Sequence, residues 1–388
     1  MTTTRREFLV RSAQVAALLG VGVPILDACG SDAKKKPVKQ SIAKGLQPEK
    51  GPLKILNYEA YVSEDVLAAF KKKYGVEVEV TTFVNDTEAE QKLASGAVKV
   101  DVFHSINTSS LPDLTARGIL QPLNRDYLTN FGNILAELQN PDYDADAQYT
   151  VPYTIYGTGI GYRTDRVDQA KMEADGWSAF WNSGAHKGKV SILDDQYESL
   201  ALGMLYKGLN DINTGDKKLL DEAANELKKL SGIANIKINS NGYETIADGT
   251  VSMAHTWSGD PIIGVMSYLP EGTEASAVGF WHPKDNYIVG NDAMGIPASA
   301  EHPVLAHHYL NFLLDNDIAE TNFTVNGYLP ALTKLDADYL IGKGYVPDHL
   351  RSCVPSADER KNALKFGHLT PEVKTLWEDA WSSVKAGG

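Results

Sequence analysis

The sequence predicts a mixed α/β protein of two domains, with helices packed over mainly parallel sheets. Apolar runs of strand length alternate with helical periods along most of the chain, the pattern of strands joined by crossover helices. The 338 residues from Gly51 to the end of the 388-residue chain exceed what one hydrophobic core organises, since single cores stop growing near ~250 residues. No internal repeat interrupts the alternation, and the only biased tract is a Lys-rich stretch near the N-terminus.

The chain opens on an export address rather than a fold. In "TTRREFLVRS" the pair Arg5 and Arg6 precedes Phe8 and Leu9, and the apolar run from Val15 to Leu26 is too short for a permanent membrane span. That is the pattern of a twin-arginine signal. The run ends in "LDAC", which matches a bacterial lipoprotein cleavage box except at Asp27, so residues 1–28 are expected to be removed and Cys29 lipidated. Residues 29–50 are polar with scattered apolar positions, cannot support a core, and read as a flexible tether whose lysines face anionic head groups. The protein is thus expected outside the cytoplasmic membrane, lipid-anchored to its outer face. With Cys29 lipidated, Cys353 is the sole thiol and no intrachain disulfide can form, so stability rests on burial.

The body is acidic. Residues 1–28 carry a net +1 and residues 30–50 a net +4, so a whole-chain charge of −13 leaves −18 on residues 51–388. Such a surface argues against nucleic acid and favours small cationic partners.

Within the body, "LKILNY" and "VEVEVTTF" read as strands flanking a helix over Ser63–Tyr74. Ser63 is placed to cap it, Glu64 and Asp65 complement its dipole, and Val66, Leu67 and Phe70 recur at helical spacing. "VDVFHSI" is a buried strand and "LPDLTARGI" a short helix. "TVPYTIYGTGIGYRTD", "VSMAHTW" and "NYIVGNDAMGIP" read as strands. Lys217–Leu230 and "PVLAHHYLNFLLDNDIAETNF" read as helices.

Ligands of open α/β sheets sit beyond the carboxyl ends of strands. Tyr58, Glu59 and Tyr61 occupy that place after the first strand, where a plain turn would use Gly, Asp or Ser. "ILDDQYESLALG" sets Asp195 and Glu198 three apart at the start of a helix, on one helical face, although acids there also suit the dipole without a ligand. "MAHTWSGDP" brings Trp257 and Asp260 to a strand end.

Other motifs resolve to structural readings. "YGTGIGYR" lacks the helix that a dinucleotide loop needs on its glycines, so close backbone approach in a strand between domains is the better account. His307 and His308 are adjacent, point about 100° apart on a helix, and fit a solvated face better than a metal site. No nucleophile elbow is present, so neither catalysis nor cofactor binding has visible machinery.

These stretches in order, from "ILNYEAYV" through "YTVPYTIYGTGIGYRTDRV", "KGKVSILDDQYES" and "GTVSMAHTW" to "NDAMGIPASA" and "NGYLPA", resemble the periplasmic spermidine/putrescine-binding proteins of ABC importers over nearly the whole body. The resemblance implies a two-lobed periplasmic binding protein type 2 fold with the ligand cleft between lobes. Lobe one would be 51–157 plus 292–338, and lobe two 158–291 plus 339–388.

It implies a monomer that captures a polyamine, spermidine or putrescine, and hands it to a membrane permease, with no cofactor, metal or reaction. The implied ligand residues are Tyr58, Glu59, Tyr61, Asn107, Ser109, Asp195, Glu198, Trp257 and Asp292. Two departures stand out. Ala60 replaces a family glutamate unless Glu59 supplies its charge, and Gly290 replaces a family tryptophan, which suggests a roomier or differently shaped slot. The types fit the chemistry: a polyamine needs carboxylates for its ammonium groups and aromatic walls for its methylenes. The alternatives are a binding protein for another organic cation or solute, and an exported cofactor-bearing redox enzyme.

Overall fold

In a computed structural model of the chain, residues 41–59, 61–83 and 86–387 are described; the export signal, Cys29 and Ala60 lie outside the described residues. Ten strands among them join one mixed sheet. They are β1 (Leu53–Tyr58), β2 (Val78–Phe83), β3 (Val102–Asn107), β4 (Thr150–Arg163), β5 (Val190–Leu193), β6 (Lys237–Asn239), β7 (Met253–Trp257), β8 (Val278–Trp281), β9 (Ile288–Gly295) and β10 (Leu329–Pro330). The order is β2-β1-β3-β9-β4-β7-β5-β6, with β8 and β10 also paired to β4.

Among the named strands, parallel pairing is confined to the flanks, where β1 pairs with β2 and β3, and β5 with β6 and β7. The middle is antiparallel through β9 and β4, so the mainly parallel sheet predicted from the alternation is corrected to a mixed one. The physical reason is that two long strands run through the middle of the sheet against their neighbours instead of returning through crossover helices.

Local signals set the helices. Ser63 accepts the Asp65 N–H ahead of helix Glu64–Tyr74, Gly75 ends it at φ 70°, and Val66 and Phe70 face the core. Helix Lys217–Ala234 begins on the Asp216 cap and buries Leu220, Ala223, Leu227 and Leu230, a stripe at helical period. The single helix expected over 303–323 is two, Pro303–Leu313 and Asn316–Asn326, because Asp315 caps the second through the Asp317 and Ile318 N–H groups.

Two principal cores result. The first packs Leu53, Ile55, Phe70, Val151, Tyr309 and Phe323, and takes in Leu340, Val346, Leu350 and Cys353 from further along the chain. Leu56, Phe83, Phe103 and Leu111 form a cluster of their own around β1–β3. The second packs Ile160, Phe180, Ile192, Leu200, Leu227 and Trp377. Each such side chain contributes about 1.5–3 kcal/mol through burial. β4 contributes Val151 and Ile155 to the first core and Ile160 and Tyr162 to the second, so one strand serves both.

Residues 41–50, the last part of the expected tether, lie along the first core's surface. Asn124 Nδ2 donates to the Ile42 carbonyl (2.9 Å), Tyr127 Oη donates to the Ala43 carbonyl (2.8 Å), and Glu49 accepts the Leu305 N–H (2.8 Å) at a helix start. His307, read from sequence as solvated, is fully buried and accepts the Asn124 N–H at 2.9 Å, because its helix is covered on that side by the 120–131 segment.

Candidate functional site

The ends of β1, β3 and β7, the middle of β9 and the start of helix Gln196–Tyr206 surround a cavity of about 160 Å³. Of the nine residues singled out, Tyr58, Glu59, Tyr61, Asn107, Asp195, Glu198, Trp257 and Asp292 line it. Ser109 does not. It donates its Oγ–H and its backbone N–H to Asn107 Oδ1, at 2.9 and 3.0 Å, and so fixes the residue that does.

Each acid is placed by local structure. Asp195 is the cap of its helix rather than part of a helical face, accepting the Tyr197 and Glu198 N–H groups at 2.8 and 2.9 Å. Glu198 follows in the first turn, 3 % exposed, with Oε1 accepting from Trp257 Nε1 and Thr158 Oγ1, both at 3.1 Å. Its Oε2 is buried with no hydrogen-bond partner among the described residues. A buried carboxylate oxygen left in that condition costs free energy unless a donor reaches it. Asp292 sits on β9 opposite both Asn107 of β3 and Thr154 of β4. The Tyr61 hydroxyl donates to its Oδ2 at 2.6 Å.

A further acid, Asp260, lines the cavity at 2 % exposure, accepting from the Tyr328 hydroxyl at 2.7 Å and from Thr256 Oγ1. Its nearness to Trp257 in sequence was its only signal. Tyr156, Tyr197, Tyr243, Tyr268, Tyr328 and Phe366 add rings to the lining. Tyr156, Tyr197 and Tyr328 fall within the matching stretches "YTVPYTIYGTGIGYRTDRV", "KGKVSILDDQYES" and "NGYLPA", but none of the six was singled out from the sequence.

Burial dominates the electrostatics. It pushes the Glu198 carboxyl up to about 8, with the Asp195 charge adding and the Trp257 and Thr158 bonds opposing. Burial likewise raises Asp260 and Asp292 to about 6, against the bonds from Thr256 and Tyr328 to the first and from Tyr61 to the second. Asp195 is raised too, through burial that its cap bonds do not offset. The cavity therefore concentrates acids whose ionised forms lack solvation, a setting that a cation would relieve.

The loop carrying Tyr58, Glu59 and Tyr61 is clamped. Tyr153 donates to the Tyr61 carbonyl at 2.5 Å, Asn322 donates to Tyr153 Oη at 2.6 Å, and Ser63 N–H donates to Asn322 Oδ1 at 2.8 Å. The glycines of "YGTGIGYR" lie inside β4, with no helix on them. A Cβ at Gly157 would fall 1.8 Å from the Tyr287 hydroxyl, so close packing across strands explains that glycine.

Comparison with known proteins bears on the family and the fold. The profile of the family described as bacterial extracellular solute-binding protein matches residues 65–343. The spermidine/putrescine-binding periplasmic protein of Escherichia coli (strain K12) is 27% identical over 334 residues, covering 85% of this chain and 90% of the relative. The putrescine-binding periplasmic protein of the same strain is 27% identical over 355 residues, covering 88% and 93%. The substrate-binding protein of a spermidine/putrescine ABC transporter from Streptococcus pneumoniae superposes with a TM-score of 0.67 at 21% identity, covering 86% of this chain and 98% of that one. The fold is the two-lobed α/β fold of periplasmic solute-binding proteins, with the cavity at the junction of the sheet's two flanks.

Proposed function

The chain belongs to the bacterial extracellular solute-binding protein family, and from that premise we propose that it captures a polyamine, spermidine or putrescine, for a membrane ABC importer. The observation that carries this reading is the convergence of Asp195, Glu198, Asp260 and Asp292 with the rings of Tyr61 and Trp257 on one cavity. An ammonium group needs a carboxylate partner once desolvated, and methylenes pack on ring faces. The unpartnered Glu198 Oε2 supports the same conclusion, because an acceptor of that kind is what a ligand ammonium supplies with a donor. The names of the relatives, which bind spermidine or putrescine, point the same way.

On this reading the two cores are the two lobes, and β4 and β9 carry the chain between them. The segment Leu340–Cys353 belongs with lobe one, whose core it joins. Capture is binding without chemistry, completed by hinge closure. Export, a Cys29 lipid anchor and a monomeric state complete the proposal, and the names of the periplasmic relatives support export.

The test is a thermal-shift panel of putrescine, spermidine, spermine, other organic cations, amino acids and sugars on residues 51–388. A polyamine is expected to raise the melting point in a dose-dependent manner. Asp195→Asn, which keeps a capping side chain while removing the charge, and Asp292→Asn should each remove most of that shift. Stabilisation by neutral solutes alone would overturn the reading.

A further inference from the structure

We propose that Tyr156 is the specificity-determining ring of the cavity, seated there because residue 290 is glycine, and that it fits the slot to an unbranched alkyl diamine or triamine. The inference rests on the polyamine reading and adds the residue that shapes the slot.

Tyr156 on β4 and Gly290 on β9 stand directly opposite in the antiparallel pair. Side chains of such partners occupy neighbouring space on one face of the sheet. Here the partner has none, and the tyrosine uses the room. A Cβ built on Gly290 would lie 2.6 Å from both Cζ and Oη of Tyr156, so the ring leans across the glycine and its phenol end fills the volume of a side chain at 290. Tyr156 lines the cavity, whereas Gly290 does not. A larger residue at 290 and the present ring position exclude each other.

The location of the ring gives this exclusion a function. Gly290 and Asp292 are two apart on β9 and so share a face, which puts the Tyr156 ring beside the acid held by Tyr61. On its other side the ring meets Trp257 edge-on, with centroids 6.4 Å apart and planes at 70°. Trp257 in turn donates to Glu198. Tyr156 therefore spans the interval between the two acid anchors, where the methylenes of a ligand with ammonium groups at its ends must lie. A flat wall there accepts unsubstituted methylenes and resists bulk on the chain. The sequence suggested a roomier or differently shaped slot from the glycine at 290; the ring from the opposite strand fills that space.

A double-mutant cycle tests the proposal, read by titration calorimetry with putrescine and spermidine and by the unliganded melting point. Gly290→Trp alone forces two rings into one volume, and Tyr156→Gly alone removes the wall; each should weaken binding at least tenfold. The Tyr156→Gly/Gly290→Trp pair returns a ring to the wall from the other strand and should recover most of the loss. Tyr156→Phe, which keeps the ring, should retain most of the affinity that Tyr156→Gly loses. Losses that simply multiply in the double variant, or Tyr156→Phe as damaging as Tyr156→Gly, would overturn the assignment. The melting arm needs no ligand: Gly290→Trp should lower the melting point and the added Tyr156→Gly should restore it. If wild type binds no polyamine yet the melts still couple, the polyamine reading fails while the steric exclusion stands. If wild type binds and neither arm couples, the reverse holds.

Discussion

Under the proposed function, ligand capture must expel a proton from Glu198, and the amount follows from the structure. The carboxyl is raised from its ordinary 4.5 to about 8 by burial and the neighbouring Asp195. Between those values the folded protein without ligand holds a proton that the unfolded chain has released. This contribution to stability is complete below about 4.5 and is lost as the pH rises through about 8.

A dication reverses the preference, because it binds the ionised carboxylate. With one such group, affinity scales with the ionised fraction, which rises about fiftyfold from pH 6 to 8, and about 0.9 proton leaves per ligand at pH 7. The assay is titration calorimetry of putrescine at pH 6, 7 and 8, each in two buffers of different ionisation enthalpy. Glu198→Gln should flatten the pH dependence, weaken binding at pH 8 by about 2–5 kcal/mol, and raise the melting point of the unliganded protein above pH 8. Affinity constant within twofold from pH 6 to 8, with heats independent of buffer, would refute Glu198 as the charge partner.

Three other outcomes follow from contacts outside the cavity. Asp113 accepts from Lys374 Nζ at 2.5 Å and His368 Nε2 at 2.9 Å, joining a helix next to β1–β3 to the segment that packs on the second core. Asp113→Asn should speed ligand dissociation about two- to fivefold in stopped flow, while changing unfolding free energy by less than about 1 kcal/mol, since the pair is partly exposed. Burial alone would raise that carboxyl, but the bonds from Lys374 and His368 outweigh it and hold it below 3.8, so the link should persist above that value and fail as pH falls beneath it. Trp377→Ala, at a fully buried ring whose Nε1 donates to the Thr214 carbonyl, should cost about 3–5 kcal/mol in denaturant unfolding. Asn322→Ala leaves the Ser63 N–H and the Tyr153 hydroxyl short of a partner, and should cost about 1–3 kcal/mol together with weaker polyamine binding as the 58–63 loop loosens.

What could be read from sequence was whatever short segments encode. Strand ends bearing aromatics and acids singled out Tyr58, Glu59, Tyr61 and Trp257, and an acid at the start of a helical pattern singled out Asp195. Glu198 came with it, although the two were placed on one helical face when the first is the cap. Pairing direction is a property of two distant strands, so the antiparallel middle of β3, β9 and β4 had no local trace. The same reason hid Tyr156, whose place in the cavity depends on standing opposite Gly290, and Phe366, which arrives from the C-terminal segment. The break at Asp315 was present as a capping acid in "LLDNDIAE", but the apolar period running past it masked the signal. His307 failed as a prediction because a helix face is solvated only if nothing long-range covers it, and the Asn124 loop does.

The raised acids and the ring wall answer one physical problem from two sides. A cleft with several ionised carboxylates would repel itself and oppose closure, and burial avoids this by favouring the protonated form of Glu198 near neutral pH. The same burial strengthens the attraction once a cation displaces the proton, since the site is shielded from water. Rings suit the intervening walls because they exclude water without adding a counter-charge that would compete for the acids. Tyr61 and Tyr328 do both, walling the cavity while their hydroxyls hold Asp292 and Asp260 in place. A lysine or arginine in either position would neutralise its acid permanently, and under the proposed function the cleft would have one charge fewer with which to hold its ligand.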